Sequence, residues 1–141
     1  MKAIYKNLEI TAEFITGMPQ SEVFGDKDSK LYCNKFEVSV LNTDTKEQIQ
    51  FDFFGSHNDY MKGKTELNEN DLLNAFDCFL MDALSGSLSF EDFCGEFGYD
   101  QDSRTAERIH KACEEANDKL NDIVNDDIYD FTNEFKEIND L

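Results

Sequence analysis

The chain has 141 residues, 40% of them hydrophobic, with 13 Phe and no Trp. That is enough to bury roughly two thirds of the unfolded surface in a single domain, so composition excludes disorder and any need for a disulfide or metal to fold. Thirty-one acids against thirteen Lys and Arg give a formal charge of −18, which repels nucleic acid and anionic membrane and favours basic partners.

The charge is not spread evenly. Residues 1–64 carry ten acids and eight lysines, whereas residues 65–103 carry ten acids and no Lys or Arg, and residues 114–141 carry ten acids against Lys119 and Lys136. Phosphate contacts need Lys and Arg, so direct nucleic-acid binding is not expected. No apolar run approaches the ~20 residues that span a bilayer. Cys33, Cys78, Cys94 and Cys113 are widely separated and no signal-peptide pattern precedes them, so reduced thiols and a cytoplasmic protein are expected.

In chain order, Leu8, Ile10, Ala12 and Phe14 alternate with Glu9, Thr11 and Glu13, the period of a strand with one buried face, and Gly17 and Pro19 end it. Residues 20–30 are turn-rich and polar, which predicts a loop. Strands follow over 35–41, with Phe36, Val38 and Val40 on one side, and over 48–54, with Ile49, Phe51 and Phe53; Asn42-Thr43-Asp44-Thr45 suits the hairpin between them. After a loop through Gly63, Asn68 or Asn70 starts a helix whose apolar positions are Leu72, Leu73, Ala75, Phe76, Phe79, Leu80 and Leu84, and Gly86 stops it. Ser89 with Asp92 reads as a capping box for a short helix ended by Gly95 or Gly98, and a last helix begins near Asp102 or Ser103. The expectation is one α+β domain over 1–141: a three-stranded antiparallel sheet with three to four helices packed on one face.

Three stretches are patterned together: Phe51-Asp52-Phe53-Phe54-Gly55-Ser56; Gly63 with Asp71-Leu72-Leu73; and the run from Phe90-Glu91-Asp92-Phe93-Cys94-Gly95-Glu96-Phe97-Gly98-Tyr99-Asp100 through Gln101-Asp102-Ser103-Arg104-Thr105-Ala106. Over about residues 35–113 this resembles a family of small phage- and prophage-encoded proteins, the third block being its most specific part. The resemblance implies an α+β architecture and a bacterial host cytoplasm. The chain departs from the pattern in lacking the proline that often precedes the first helix and in continuing into a long acidic helix. Small acidic phage proteins include inhibitors of host defence such as anti-CRISPR proteins, which makes that class the functional expectation by analogy.

Residues that could carry chemistry have structural readings of their own. Asp100-Gln101-Asp102 opens like a calcium loop, but Thr105 stands where glycine is needed and Lys111 where a bidentate glutamate is needed, so helix capping by Asp102 or Ser103 explains it. His110 and Cys113 share a helix face, yet Cys78 and Cys94 lack the short spacing of zinc ligands; Cys78, Cys94 and Cys113 read as core thiols. Ser56, His57 and Asp59 contain the residue types of a nucleophilic triad without a nucleophile elbow around them. No catalytic set, metal or cofactor is expected.

The C-terminal stretch carries the functional expectation. Acids recur at 114, 118, 122, 126, 130 and 134, one every ~6 Å along a helix. Beside them runs an apolar stripe through Ala106, Ile109, Cys113, Ala116, Leu120 and Ile123 or Val124, resuming at Ile128, Phe131, Phe135 and Ile138. In an unbroken helix Asp127 and Glu134 would rotate onto that stripe, so a break is predicted near Asn125-Asp126-Asp127. Glu114, Glu115, Asp118, Asp122, Asp126 and Asp130 are the expected partner-binding surface, aimed at a basic nucleic-acid-binding protein such as a CRISPR effector by DNA mimicry, the chain being a monomer or a dimer. Alternatives are an accessory protein that docks through its sheet or through Tyr60 and Tyr99, with the acid only solubilising, or a small enzyme using His57 or His110.

Overall fold

The computed structural model describes residues 1–19, 32–55 and 64–141. The loops expected over 20–30 and from Ser56 to Gly63, with His57, Asp59 and Tyr60, lie outside them. The described chain is α+β and divides into two compact units, Met1–Ala75 and Phe76–Leu141.

The first unit holds an antiparallel sheet. Its strands are β1 (Ala3–Tyr5), β2 (Leu8–Pro19), β3 (Tyr32–Asn42) and β4 (Gln48–Phe54), each hydrogen-bonded to the next in sequence order. The described sheet therefore has four strands and not three. The extra strand is three residues long, too short to register as a period, although Ala3 and Tyr5 are buried and Ile4 is exposed. A two-residue turn at Lys6-Asn7, with Lys6 at φ 53°, folds it onto Leu8–Ile10.

Cross-strand rows explain the pairing. Ile10, Val40 and Ile49 share one row, and Phe14, Phe36 and Phe53 another. Phe36 packs edge-on to Phe14 at 5.8 Å and tilted to Phe53 at 6.4 Å, and such cross-strand aromatic pairs set register. Leu8 and Ile10 are buried, whereas Phe14, expected inside, is 36% exposed. Beyond it Thr16 and not Ile15 pairs with Lys35, so Ile15 is the extra residue of a bulge. Gly17 does not end the strand, which runs on through it to Pro19, its last residue, as expected for Pro19.

Two asparagines join the turns at one end of the sheet. The Asn42 side-chain oxygen accepts from the N–H groups of Asp44 and Thr45 and from Asn7 Nδ2, at 3.0, 3.1 and 3.0 Å. The Asn7 carbonyl in turn accepts from the Thr43 N–H.

Helix α1 (Glu69–Gly86) starts in the first unit. Asn68 is its cap: Asn68 Oδ1 accepts from the Asp71 N–H at 2.8 Å, while Asp71 Oδ2 accepts from the Asn68 N–H at 3.1 Å and pairs with Lys64 Nζ at 2.9 Å.

The second unit contains the rest of α1 with α2 (Phe90–Phe97), α3 (Arg104–Ile123) and α4 (Ile128–Asn139). Phe76 is fully buried at its centre, edge-on to Phe135 at 5.2 Å and to Phe131 at 6.4 Å. Asp77 pairs with Lys136 at 2.7 Å beside them. Ser89 caps α2 through the Asp92 N–H, and Gly98, at φ 73°, closes it. Ser103, not Asp102, caps α3 through the Ala106 N–H.

Gly86 ends α1 for a reason other than backbone freedom. A Cβ there would lie 2.0 Å from the Cys113 carbonyl oxygen, so the end of α1 meets the α3 backbone directly. The buried stripe of α3 passes through Ala106, His110, Cys113, Ala116, Leu120 and Ile123; Ile109, expected in it, is 37% exposed. His110 takes that place, one residue or ~100° further round the helix. Cys78 is exposed, because on α1 the buried positions are Ala75, Phe76, Phe79, Leu80 and Ala83. Ile138 is also exposed. No helix among the described residues is long and apolar enough to cross a membrane.

Candidate functional site

The break between α3 and α4 falls where charge and stripe conflict. Val124 ends α3 with extended backbone, and Asp127 caps α4 by accepting from the Asp130 N–H at 2.9 Å. Glu134 and Asp127 are thereby both exposed, while Phe131 and Phe135 stay in the core.

Glu114, Glu115, Asp118 and Asp122 are all exposed on α3; Asp126 is exposed in the connection; Asp130 is exposed in the first turn of α4. Glu114, Asp118 and Asp122 follow one another at four-residue steps on one side of α3, Glu115 lies a residue further round, and Asp126 and Asp130 stand beyond the break. Among the described residues one of the six stands beside a basic side chain: Glu114 Oε1 is 3.3 Å from His110 Nδ1, an ion pair only when the imidazole is protonated.

His110 is held as a core residue. Its Nε2 donates to the Leu88 carbonyl at 2.8 Å and its ring rests against Phe93 and Phe90 at 5.0 and 5.6 Å. Among the described residues no group of three His, Cys, Asp or Glu is placed to share a metal ion. Burial pushes the Cys113 thiol up to about 11, with the charge of Asp82 acting in the same direction. Burial likewise raises Cys33, and raises Cys94 with help from Asp100 and Glu107. A thiol held protonated is a poor nucleophile and a poor metal ligand.

Three residues that sequence reasoning did not single out stand beside Asp126. With Asp126 and Asp127, residues Asn117, Asn121 and Tyr129 line an open hollow of about 310 Å³ whose remaining wall comes from Leu84, Ser87 and Ile128. Asn117 Nδ2 donates to the Ala83 carbonyl at 2.9 Å, and Asn121 Nδ2 donates to Asn117 Oδ1 at 3.0 Å. The four-residue spacing of the two asparagines was visible in the sequence; that the end of α1 comes alongside them was not.

Comparison with protein-family models, curated proteins and solved structures found no match to this chain.

Proposed function

We propose that this protein is a binding inhibitor that occupies a basic nucleic-acid groove on its partner, and that the partner is an RNA-guided nuclease of a host defence system. One observation supports this most: the six carboxylates from Glu114 to Asp130 are exposed, and none is neutralised by Lys or Arg among the described residues. Their field is therefore free to attract a cationic surface, with fast and salt-sensitive association. One row at ~6 Å is sparser than duplex DNA, which carries a charge every ~1.7 Å, so this reading requires further charge from acids of the same unit, between Asp77 and Asp102. The resemblance over 35–113 to phage-encoded proteins supports the choice of a host nuclease.

The test begins with affinity capture from a bacterial lysate at low and high salt, followed by measuring nucleic-acid binding of the captured protein with and without this chain. Capture confined to low salt, with nucleic acid displaced, is expected. The double variant Asp118→Arg with Asp122→Arg should keep its circular dichroism and lose displacement. Unchanged displacement by that variant would overturn the reading.

A second reading, an accessory protein that docks through aromatics, is favoured by Phe97 and Tyr99, which are 51% and 38% exposed and both packed on Phe93. It predicts that Phe97→Ala with Tyr99→Ala removes the captured partner while the Asp118 and Asp122 double variant retains it.

A further inference from the structure

We propose that the hollow where α1 and α3 end and α4 begins is an arginine-binding site that takes one guanidinium side chain from the partner. The identity of the partner rests on the function proposed above; the chemistry of the hollow does not.

The hollow holds several acceptors that no described donor uses, beside the second amide N–H of each asparagine. Asn117 Nδ2 is directed to the Ala83 carbonyl, Asn121 Nδ2 to Asn117 Oδ1, and the Ser87 hydroxyl to the Leu84 carbonyl at 2.6 Å. That arrangement leaves Asn121 Oδ1 as an acceptor. Asp127 uses Oδ1 on the Asp130 N–H and keeps its second oxygen, and Asp126 makes no hydrogen bond or ion pair with any described residue. Two carboxylates and an amide oxygen side by side favour a cationic occupant that brings several donors. A guanidinium offers five N–H groups in a planar fork, where an ammonium is a compact point charge.

The other walls suit the rest of that side chain. Leu84 and Ile128 are apolar and half-buried, fit for a three-carbon stem, and the Tyr129 ring is 64% exposed, free to stack on a cation. The volume of about 310 Å³ stands at the bottom of the range for ligand pockets, room for one long side chain. Helix ends reinforce the sign: α1 and α3 both finish here with no basic residue in the last turn, while the positive start of α4 is covered by Asp127 and Asp130.

The test is an amide-resonance titration of the full chain with acetyl-Gly-Arg-Gly-amide and, separately, with its lysine analogue, at equal ionic strength. Shifts centred on Asn117, Asn121 and Tyr129 are expected, with the arginine peptide about fivefold tighter. Asp126→Asn and Tyr129→Ala should each weaken it about threefold with the Asn117 side-chain resonance unmoved, while Glu137→Gln, exposed at the far end of α4 and outside both the hollow and the row of six carboxylates, changes nothing. Equal affinity for the two peptides, shifts spread along the acidic surface, or indifference to both hollow variants would overturn the proposal. The charge-reversal test on Asp118 and Asp122 reads the broader function separately: it can fail while the arginine preference stands, or succeed while the preference is absent.

Discussion

The carbonyl oxygen of Cys113 lies 2.0 Å from where a Cβ on Gly86 would stand, and its carbonyl carbon 2.3 Å away. Backbone cannot swing aside as a side-chain tip can, so Gly86→Ala forces α1 and α3 apart. The expected loss is about 3 kcal/mol or more, read as a lower urea midpoint. Gly95 is the control, since a Cβ there meets nothing within 4 Å. Because alanine also favours helix, Gly95→Ala should raise stability by about 0.5–1 kcal/mol.

The asparagine tie between the two turns gives a second measurement. Asn42 is buried, and its one side-chain oxygen serves three donors. Asn42→Ala leaves those donors competing for water and should cost about 1–3 kcal/mol, whereas Asn42→Asp keeps the acceptor and should cost less. Thermal melts of the three proteins check the order.

His110 and Glu114 are neighbours with unequal roles. His110→Ala removes the donor to the Leu88 carbonyl and the ring packed on Phe90 and Phe93, for an expected loss of about 2–4 kcal/mol. Glu114 has a 55% exposed side chain, so Glu114→Gln should change stability by less than about 0.5 kcal/mol. Denaturant unfolding of both variants distinguishes a core histidine from a surface carboxylate.

The cysteines predict a reactivity order and a pH trend. With a thiol-specific reagent on the folded protein, Cys78 should react first, being exposed while Cys33, Cys94 and Cys113 are buried. Desolvation, then Asp77 and Asp82, raise the Cys78 thiol against the opposing Lys136, so its reaction should quicken steadily above neutral pH. Cys113 moves from the ordinary 9.0 to about 11 on folding, which means the unfolded chain gives up this proton first. Its contribution to stability is therefore complete below pH 9 and is lost as pH rises toward 11. Cys113→Ser should flatten that part of the stability profile.

Much of this was legible where local rules and burial agree. β3, β4, the hairpin at Asn42 and the caps at Asn68, Ser89 and Ser103 follow from alternation and side-chain acceptors placed before apolar runs. The break after Ile123 was legible because Asp127 and Glu134 would otherwise turn into the core. What escaped depended on contacts distant in sequence. β1 has three residues, and only its pairing with Leu8–Ile10 makes it a strand. The Ile15 bulge is a matter of register against β3. His110 in place of Ile109 is a shift of one helical position, settled by Leu88, Phe90 and Phe93. The exposed carboxylates from Glu114 to Asp130 were readable one by one; the hollow beside Asp126 needed the ends of α1 and α3 to meet.

The contact at Gly86 also bears on the backbone that carries the acidic surface. The backbone against which Gly86 presses includes the Glu114 amide nitrogen, 2.6 Å from the Cβ position at 86. The first carboxylate of the row thus springs from an α3 peptide group that packs directly on the last residue of α1, and Asp118 and Asp122 continue the same helix. Under the function proposed above, a surface held in this way before it meets a partner has little backbone entropy left to lose, so more of its electrostatic attraction would survive as affinity.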